Sequence, residues 1–287
     1  FDEEMLLDLR LNIMDKYIDK FVITEATYMH SGKPKRLSFD INKFSKFKDK
    51  IIYNVVDKQP SNLEIINKYD SKELRGSKLI NNSLKRENYQ REMAMNSLRD
   101  ISDEDLILIN DIDEIPNLNN LNFNKINNKL IIFKQKTFYY KFNLEYQDLT
   151  WHGSRACKKK FFISPQWLRN VKHKKYPLWR LDIMFSKRKY NDILYINNGG
   201  WHFTNIKSPA DIEKKLLNYT HHYEFEQSGL TVADLSKKIL EKKIIYDHGV
   251  DQRKSKWDSG KTLTKIDLTN LPTYLQENSK KYASWLE

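Results

Sequence analysis

The chain alternates short β-branched runs with stretches whose apolar residues recur at helical spacing. "MLLDLRLNIMDKYID" (5–19) predicts a helix, and "KFVITEAT" (20–27) and "KIIYNVVD" (50–57) predict strands. "RENYQREMAMNSLRD" (86–100) predicts a second helix, followed at once by the strand "DLILIND" (105–111). This alternation predicts an α/β fold whose sheet is mostly parallel and flanked by helices. "KLIIFKQKTFYYKFNLEY" (129–146) is longer and aromatic, and predicts antiparallel strands. "DILYINNGGWHFT" (192–204) predicts a strand with a Gly199–Gly200 break. A further helix begins in "SPADIEKKLLNYTHHYEF" (208–225). Ser208 suits the N-cap, Pro209 the first helical position, and Asp211 completes a capping-box-like pattern. Ile212, Leu216, Tyr219 and Tyr223 then fall on one face.

Composition narrows the class. The 287 residues are 39% hydrophobic and 31% charged, with Tyr 16, Phe 14 and Trp 6, which fits a folded chain with a sizeable core rather than disorder. With Gly 8 and Pro 7, and no repeat or low-complexity linker, no clear domain boundary is visible. Cys157 stands alone, which excludes an internal disulfide framework. No apolar run approaches the ~20 residues that span a bilayer, and nothing reads as a signal peptide. The chain opens on Phe1 rather than Met, which leaves room for an upstream anchor. The expected location is cytoplasmic, with peripheral membrane contact through a basic surface.

The net charge of +12 admits three partners: nucleic acid, an anionic membrane surface, or a phosphorylated small substrate. Many lysines sit beside asparagine and isoleucine, as in "NNLNFNKINNK", a pattern that an AT-rich genome also produces. The basic residues are spread along the chain rather than gathered in one arm, so no nucleic acid is expected.

The candidate chemistry lies in "LILINDIDEIP" (106–116), where an apolar run meets Asp111, Asp113 and Glu114. In an α/β sheet, ligands collect beyond the carboxyl ends of parallel strands. The i, i+2 spacing of Asp111 and Asp113 puts both on one side of an extended segment. Like charges that close repel, and a divalent cation removes the penalty. Carboxylate oxygens suit Mg2+ or Mn2+, and such a cation can hold a diphosphate and stabilise a leaving phosphate. The short motif alone equally describes Asp111 capping a turn and Asp113 capping a helix.

The wider context changes that balance. "DKFVITEATYMHSGKPKRLSF", "KDKIIYNVVD", "KRENYQREMAM", "DLILINDIDEIP" and "GGWHFT" follow one another here, with a fainter echo in "LPTYLQENSKKYASWL". Together they resemble glycosyltransferase family 17, the β-1,4-mannosyl-glycoprotein N-acetylglucosaminyltransferase family, in a microbial or viral form. The resemblance implies a GT-A type fold over 1–287, a Rossmann-like, mostly parallel sheet with antiparallel acceptor-side strands. Residues 1–116 would be the nucleotide-binding half and 117–287 the acceptor half. It also implies inverting transfer of N-acetylglucosamine, or a related sugar, from a UDP-sugar to a glycan, with Mn2+ or Mg2+ held at Asp111 and Asp113.

Other residues take expected roles within this frame. Glu25 and Asp57 end the first two strands and are candidates for donor binding, against turn formation. Arg86 and Arg91 match a family segment and are candidates for the donor diphosphate, because guanidinium fits phosphate geometry. Glu87 and Arg91 are also i, i+4 helix partners, so a surface ion pair is the alternative. His202 in "GGWHF" is a candidate metal ligand, against a strand histidine with a satisfied hydrogen bond, and Gly199–Gly200 would let the backbone approach a ligand closely. Inverting transfer needs a base for the acceptor hydroxyl, and Glu224, Asp148 and Asp182 are the candidates. Trp151 and Trp179 are candidates for stacking on an acceptor sugar, against burial in the core.

Two other classes stay in view. A metal-dependent nuclease would need a nearby Glu-x-Lys, which "DIDEIP" lacks. A non-catalytic carbohydrate-binding protein on a degenerate transferase fold would not need both aspartates and His202.

Overall fold

The computed structural model describes residues 3–98, 100–119, 121–177, 179–247, 256–257 and 260–287. Its helices are α1 (Glu4–Met14), α2 (Lys72–Glu92), α3 (Pro165–Asn170), α4 (Pro209–Leu216), α5 (His222–Ser228), α6 (Val232–Leu240) and α7 (Thr273–Glu277). The strands that carry the argument are β1 (Phe21–Ala26), β2 (Ile51–Val56), β3 (Leu106–Ile109), β4 (Glu114–Pro116) and β5 (Leu130–Phe133), then β6 (Gln135–Tyr139), β7 (Leu144–Trp151), β8 (Arg155–Lys158), β9 (Ile193–Ile196) and β10 (Gly200–Thr204). They fall into two compact units that interleave along the chain. The first holds the described residues of 20–94 and 205–264, the second those of 3–19, 95–204 and 265–287.

In the first unit the two β-branched runs form strands as predicted, and β1 and β2 pair in parallel, with Phe21 opposite Ile51 and Ala26 opposite Val56. Helix α2 begins well ahead of the predicted residue 86. Ser71 caps it, its hydroxyl accepting from Leu74 N at 3.2 Å. The predicted stretch past Glu92 continues as 3-10 turns over Met93–Ser97, and Arg99 lies outside the described residues. Gln90 Nε2 donates to Thr24 O at 3.0 Å, tying α2 to β1. Ala26, Tyr28 and Val56 form a core with Tyr89 and Met93 against it.

Ser208 caps α4 as its sequence indicates, accepting from Asp211 N at 3.2 Å and donating to Asp211 Oδ2 at 2.6 Å. The helix does not run on to residue 225. It ends at Leu216, where Asn218 Nδ2 bonds back to Lys214 O at 2.8 Å, and Tyr223 belongs to α5. An asparagine that satisfies a helix carbonyl with its side chain competes with further helical turns.

The second unit corrects the expectation of a mostly parallel sheet. One of its sheets runs β3–β8–β5–β9, and the other includes β7–β6–β10–β4. Strand β3, read as part of a parallel array, pairs antiparallel with β8, Ile107 facing Cys157. β6 and β7 are antiparallel, as the aromatic stretch predicts, whereas β5 with β9 and β6 with β10 are parallel. The Gly-Gly break divides the predicted strand 192–204 into β9 and β10, which enter different sheets. Alternation of helix and strand marks which segments become strands, and it leaves the partner open. The partner of β3 is the short run Arg155–Lys158, whose composition carries no strand signal.

Phe138, Phe142 and Phe203 pack tilted and edge-on within the second unit, with centroids 5.2 Å apart for Phe138–Phe203 and 4.9 Å for Phe142–Phe203. Leu130, Ile132, Cys157, Trp167, Leu168 and Val171 pack where α3 covers the other sheet. Cys157 is buried there, and burial pushes its thiol up to about 12, so it acts as a core side chain.

Candidate active site

The second unit gathers three acids at the connection from β3 to β4. The segment is not extended through Asp113, as the i, i+2 reading requires. The chain turns at Ile112–Asp113, and Glu114 N donates to Asp111 O at 3.1 Å. Asp111 and Asp113 consequently have different neighbours. The Asp111 side chain is 41% exposed and meets Arg169 Nη2 through Oδ2 at 2.8 Å. Asp113 is mostly covered, and its Oδ2 lies 3.7 Å from His202 Nε2.

His202 reaches that position through the backbone. Phe203 N donates to Asp113 O at 2.8 Å, and β10 pairs antiparallel with β4 so that His202 faces Glu114. Gly200 permits this approach. Its φ is +120°, and a Cβ there would sit 2.2 Å from Ile115 O. Gly200 thus brings β10 against β4, while a Cβ on Gly199 would meet the backbone of Lys134, Ile196 and Phe133. The His202 ring stacks on Trp151 with centroids 4.4 Å apart and planes 12° apart. Its Nδ1 is buried and has no hydrogen-bond partner. Trp151, a candidate for stacking on an acceptor sugar or for burial in the core, is one wall of this site.

Glu114 is fully buried beneath the two aspartates. Arg169 grips it with two bonds, Nη1 to Oε2 at 2.8 Å and Nη2 to Oε1 at 2.9 Å. Trp151 Nε1 donates to Oε1 at 2.6 Å, and Asp111 N donates to Oε2 at 3.0 Å. A buried carboxylate is tolerated because every oxygen is charge-paired or hydrogen-bonded. The space is full: a Cβ on Gly153 would lie 1.8 Å from Glu114 Oε1. Arg10 of α1 completes the cluster, donating to Asp111 O at 2.6 Å and to Asn110 Oδ1. Burial pulls its guanidinium down to about 10, against the opposing pull of Glu114, Asp111 and Asp113.

Three of these groups escaped the sequence reading. Glu114 was visible only as one acid among three. Arg10 and Arg169 carried no motif, although the Ser164-Pro165 start of α3 marks the helix that presents Arg169.

The remaining expected residues have these surroundings. In the second unit Asp148 is exposed on β7, and Asp182 is exposed and bridges Arg180 (2.8 Å) and Lys189 (2.6 Å). Hydrogen bonds from Arg180 and Lys189 hold the Asp182 carboxyl down at about 2. In the first unit Glu25 is fully buried at the end of β1. It accepts from Lys35 Nζ, from Ser38 N at 2.9 Å, from Phe39 N at 3.1 Å and from Tyr53 Oη at 2.9 Å. Asp57 is exposed after β2. Arg86 donates to Gln59 Oε1 at 2.7 Å and His30 O at 3.2 Å. Arg91 pairs with Glu87 at 3.0 Å in the i, i+4 manner, and Glu87 also accepts from Thr220 Oγ1 at 2.6 Å. Glu224 lies in the first turn of α5, 3.4 Å from His221 Nδ1.

A family model, glycosyltransferase family 17, matches residues 1–286. The chain belongs to glycosyltransferase family 17. It is a glycosyltransferase, which implies a sugar donor and a glycan acceptor. No curated protein and no solved structure matches it.

The side chains of this family 17 enzyme bear on a metal in a limited way. Among the described residues, no group of three or more His, Cys, Asp and Glu is gathered to enclose a cation. Asp113 Oδ2 and His202 Nε2, 3.7 Å apart, fit a cation that takes the rest of its ligands from substrate oxygens and water. Mg2+ and Mn2+ are commonly held in that way, by one or two side chains plus phosphate. Among the described residues, no helix is long and apolar enough to cross a membrane.

Proposed function

We propose that the enzyme transfers N-acetylglucosamine, or a closely related sugar, from a UDP-sugar to a glycan with inversion, on a GT-A type fold. Mn2+ or Mg2+ would be held by Asp113 and His202, with Asp111 beside them facing the donor. The observation that carries this reading is the Asp113–His202 pair, set by the β4–β10 pairing next to a half-exposed carboxylate. The family membership supplies the reaction class. A bound cation would offset the charge of a donor diphosphate and of the departing UDP.

The chain's own residues do the rest. Arg169 and Trp151 fix Glu114, and Glu114 fixes the backbone of Asp111, so the acids are held before any ligand arrives. In the transfer, an acceptor hydroxyl oxygen bonds to the anomeric carbon as the bond to the diphosphate breaks. The hydroxyl proton passes to a carboxylate. Glu224 is the proposed base, with Asp148 next. Asp182, held at about 2 by hydrogen bonds from Arg180 and Lys189, is a poor proton acceptor. Arg86, Arg91, Glu25 and Asp57 are proposed to serve donor binding from the first unit, Glu25 by holding the 35–39 segment.

Calorimetry with UDP tests the metal: affinity should rise strongly with Mn2+ over EDTA, and equal affinity would end the proposal. A donor panel read by UDP release tests the sugar, with UDP-N-acetylglucosamine expected first. Glu224→Gln should keep UDP affinity and lower kcat by about 10²–10⁴-fold. Retained turnover would move the base to Asp148.

A further inference from the structure

The loop over 172–189 follows α3 and has a composition unlike the rest of the second unit. Trp179, Leu181, Met184 and Phe185 are 78%, 71%, 78% and 87% exposed, all within seven positions. Large apolar side chains so fully exposed and so close in sequence mark an interaction surface rather than chance exposure. Around them stand Lys172, Lys174, Lys175, Arg180, Lys187, Arg188 and Lys189. Asp182 is the single acid, and it bridges Arg180 and Lys189.

The loop's described residues, 172–177 and 179–189, are braced rather than loose. Lys172 N donates to Arg188 O at 2.7 Å, and Trp167 Nε1 to Lys187 O at 2.7 Å, which closes its base. Ser186 Oγ accepts from Arg188 N and Lys189 N, each at 3.1 Å. The Arg180 guanidinium lies 5.6 Å from the centre of the Tyr176 ring. Little ordering remains to be done on binding.

We propose that this loop docks the enzyme on an anionic lipid bilayer. Trp179, Leu181, Met184 and Phe185 enter the boundary between headgroups and acyl chains, and the flanking lysines and arginines meet lipid phosphates. Apolar insertion and basic contact are the two signals that together give stable peripheral binding. Charge selects this occupant, because a surface with one acid, itself paired, repels basic partners. A nucleic acid would account for the basic residues and the aromatic rings, but Leu181 and Met184 offer it no stacking face. Helix α3, which leads into the loop, carries Arg169, so the docked loop lies on the unit that presents Asp111 and Asp113. Acceptor glycans carried on lipid would then be met at the surface where they reside. That last consequence rests on the transferase reading above, whereas the docking itself does not.

The test is co-sedimentation of the full chain with vesicles of phosphatidylcholine alone and with roughly a third phosphatidylglycerol added. Binding should require the anionic lipid and weaken as salt rises. The triple variant Leu181→Ser, Met184→Ser, Phe185→Ser should lose more than about tenfold in partitioning, since it removes three insertable side chains. Its melting temperature should match the parent, because all three are exposed. Lys174→Gln with Lys175→Gln should weaken binding mainly at low salt. Unchanged partitioning of the triple variant overturns the proposal. So does a parent chain that ignores anionic vesicles, whether it binds single-stranded RNA instead or self-associates through the same residues. Vesicle binding is read without donor, metal or turnover, so its failure is distinct from failure of the transferase reading.

Discussion

Glu25 closes β1 in the first unit, and Asp111 and Asp113 follow β3 in the second. In sequence the two ends look alike, an apolar run stopping at carboxylate. In the structure Glu25 has four donors around it, two of them the backbone of Ser38 and Phe39, and no surface left. The second strand end divides the same task among three acids. Glu114 takes the buried, fully bonded place, while Asp111 stays half exposed and Asp113 lies next to an imidazole. The difference teaches that a third acid can free its neighbours. By accepting from Arg169, Trp151 and the Asp111 backbone, Glu114 anchors the turn, a task the aspartates would otherwise have to share.

The comparison can be broken most directly at Asp113. Asp113→Asn should lower turnover by more than about a hundredfold and abolish the Mn2+-dependent part of UDP affinity, with little change in melting. UDP calorimetry and a thermal melt decide it, and metal-dependent binding as strong as the parent's would refute the assignment. Glu25→Ala should behave in the opposite way. It strands a buried Lys35 ammonium and two backbone N–H groups, at a cost of about 3–5 kcal/mol. That corresponds to roughly 10 °C or more in melting temperature. At saturating donor, turnover per folded molecule should stay within about tenfold of the parent, and donor affinity should fall by no more than a similar margin as the 35–39 segment loosens. If stability holds and UDP affinity collapses instead, the two strand ends have exchanged roles.

A subtler test uses pH. Burial pushes the Glu25 carboxyl up, but the bonds from Lys35, Ser38 and Phe39 outweigh it and hold the group below its ordinary value. A depressed folded pKa gives stability that is complete above the unfolded value, about 4.3, and is lost as pH falls through the folded one. The gap in melting temperature between the parent and Glu25→Gln should therefore be constant near neutrality and narrow below about pH 4. A gap that widens with acid would contradict the bonding described. The smallest effect is expected at Asp182→Asn, which touches exposed ion pairs within its own loop and should leave melting unresolved from the parent. A large loss of turnover there would return Asp182 to the list of bases.

Local elements were legible in the sequence where a side chain or a φ preference fixes them. Ser208-Pro209 and Asp211 marked the start of α4, and the runs at 20–27 and 50–57 marked β1 and β2. The pairing of β3 was not legible, because strand partners are chosen by contacts distant in sequence, here with Arg155–Lys158. The site was legible in its candidate ligands. Asp111, Asp113 and His202 could be singled out, and Asp113 and His202 do meet. Its support was not, since Arg10 lies in α1 and Arg169 in α3, neither near the acids in sequence. Nor does a glutamate in a run of acids announce that it is the one taken into the interior.

The interleaving of the two units also sets an order in time. Helix α1 precedes the rest of the second unit along the chain, yet Asp8 on it receives Lys281 Nζ at 2.5 Å and Tyr282 Oη at 3.3 Å. Trp201 Nε1, next to His202, donates to Asn270 O at 2.9 Å. The second unit therefore waits for its last two dozen residues, while β1, β2 and α2 can pair as soon as residue 92 has left the ribosome. Closing a loop that spans nearly the whole chain is entropically cheap in equilibrium but slow in reaching its partner. An unfinished chain would hold an assembled β1–β2 pair while β3 and β4, in the other unit, still lack their final brace.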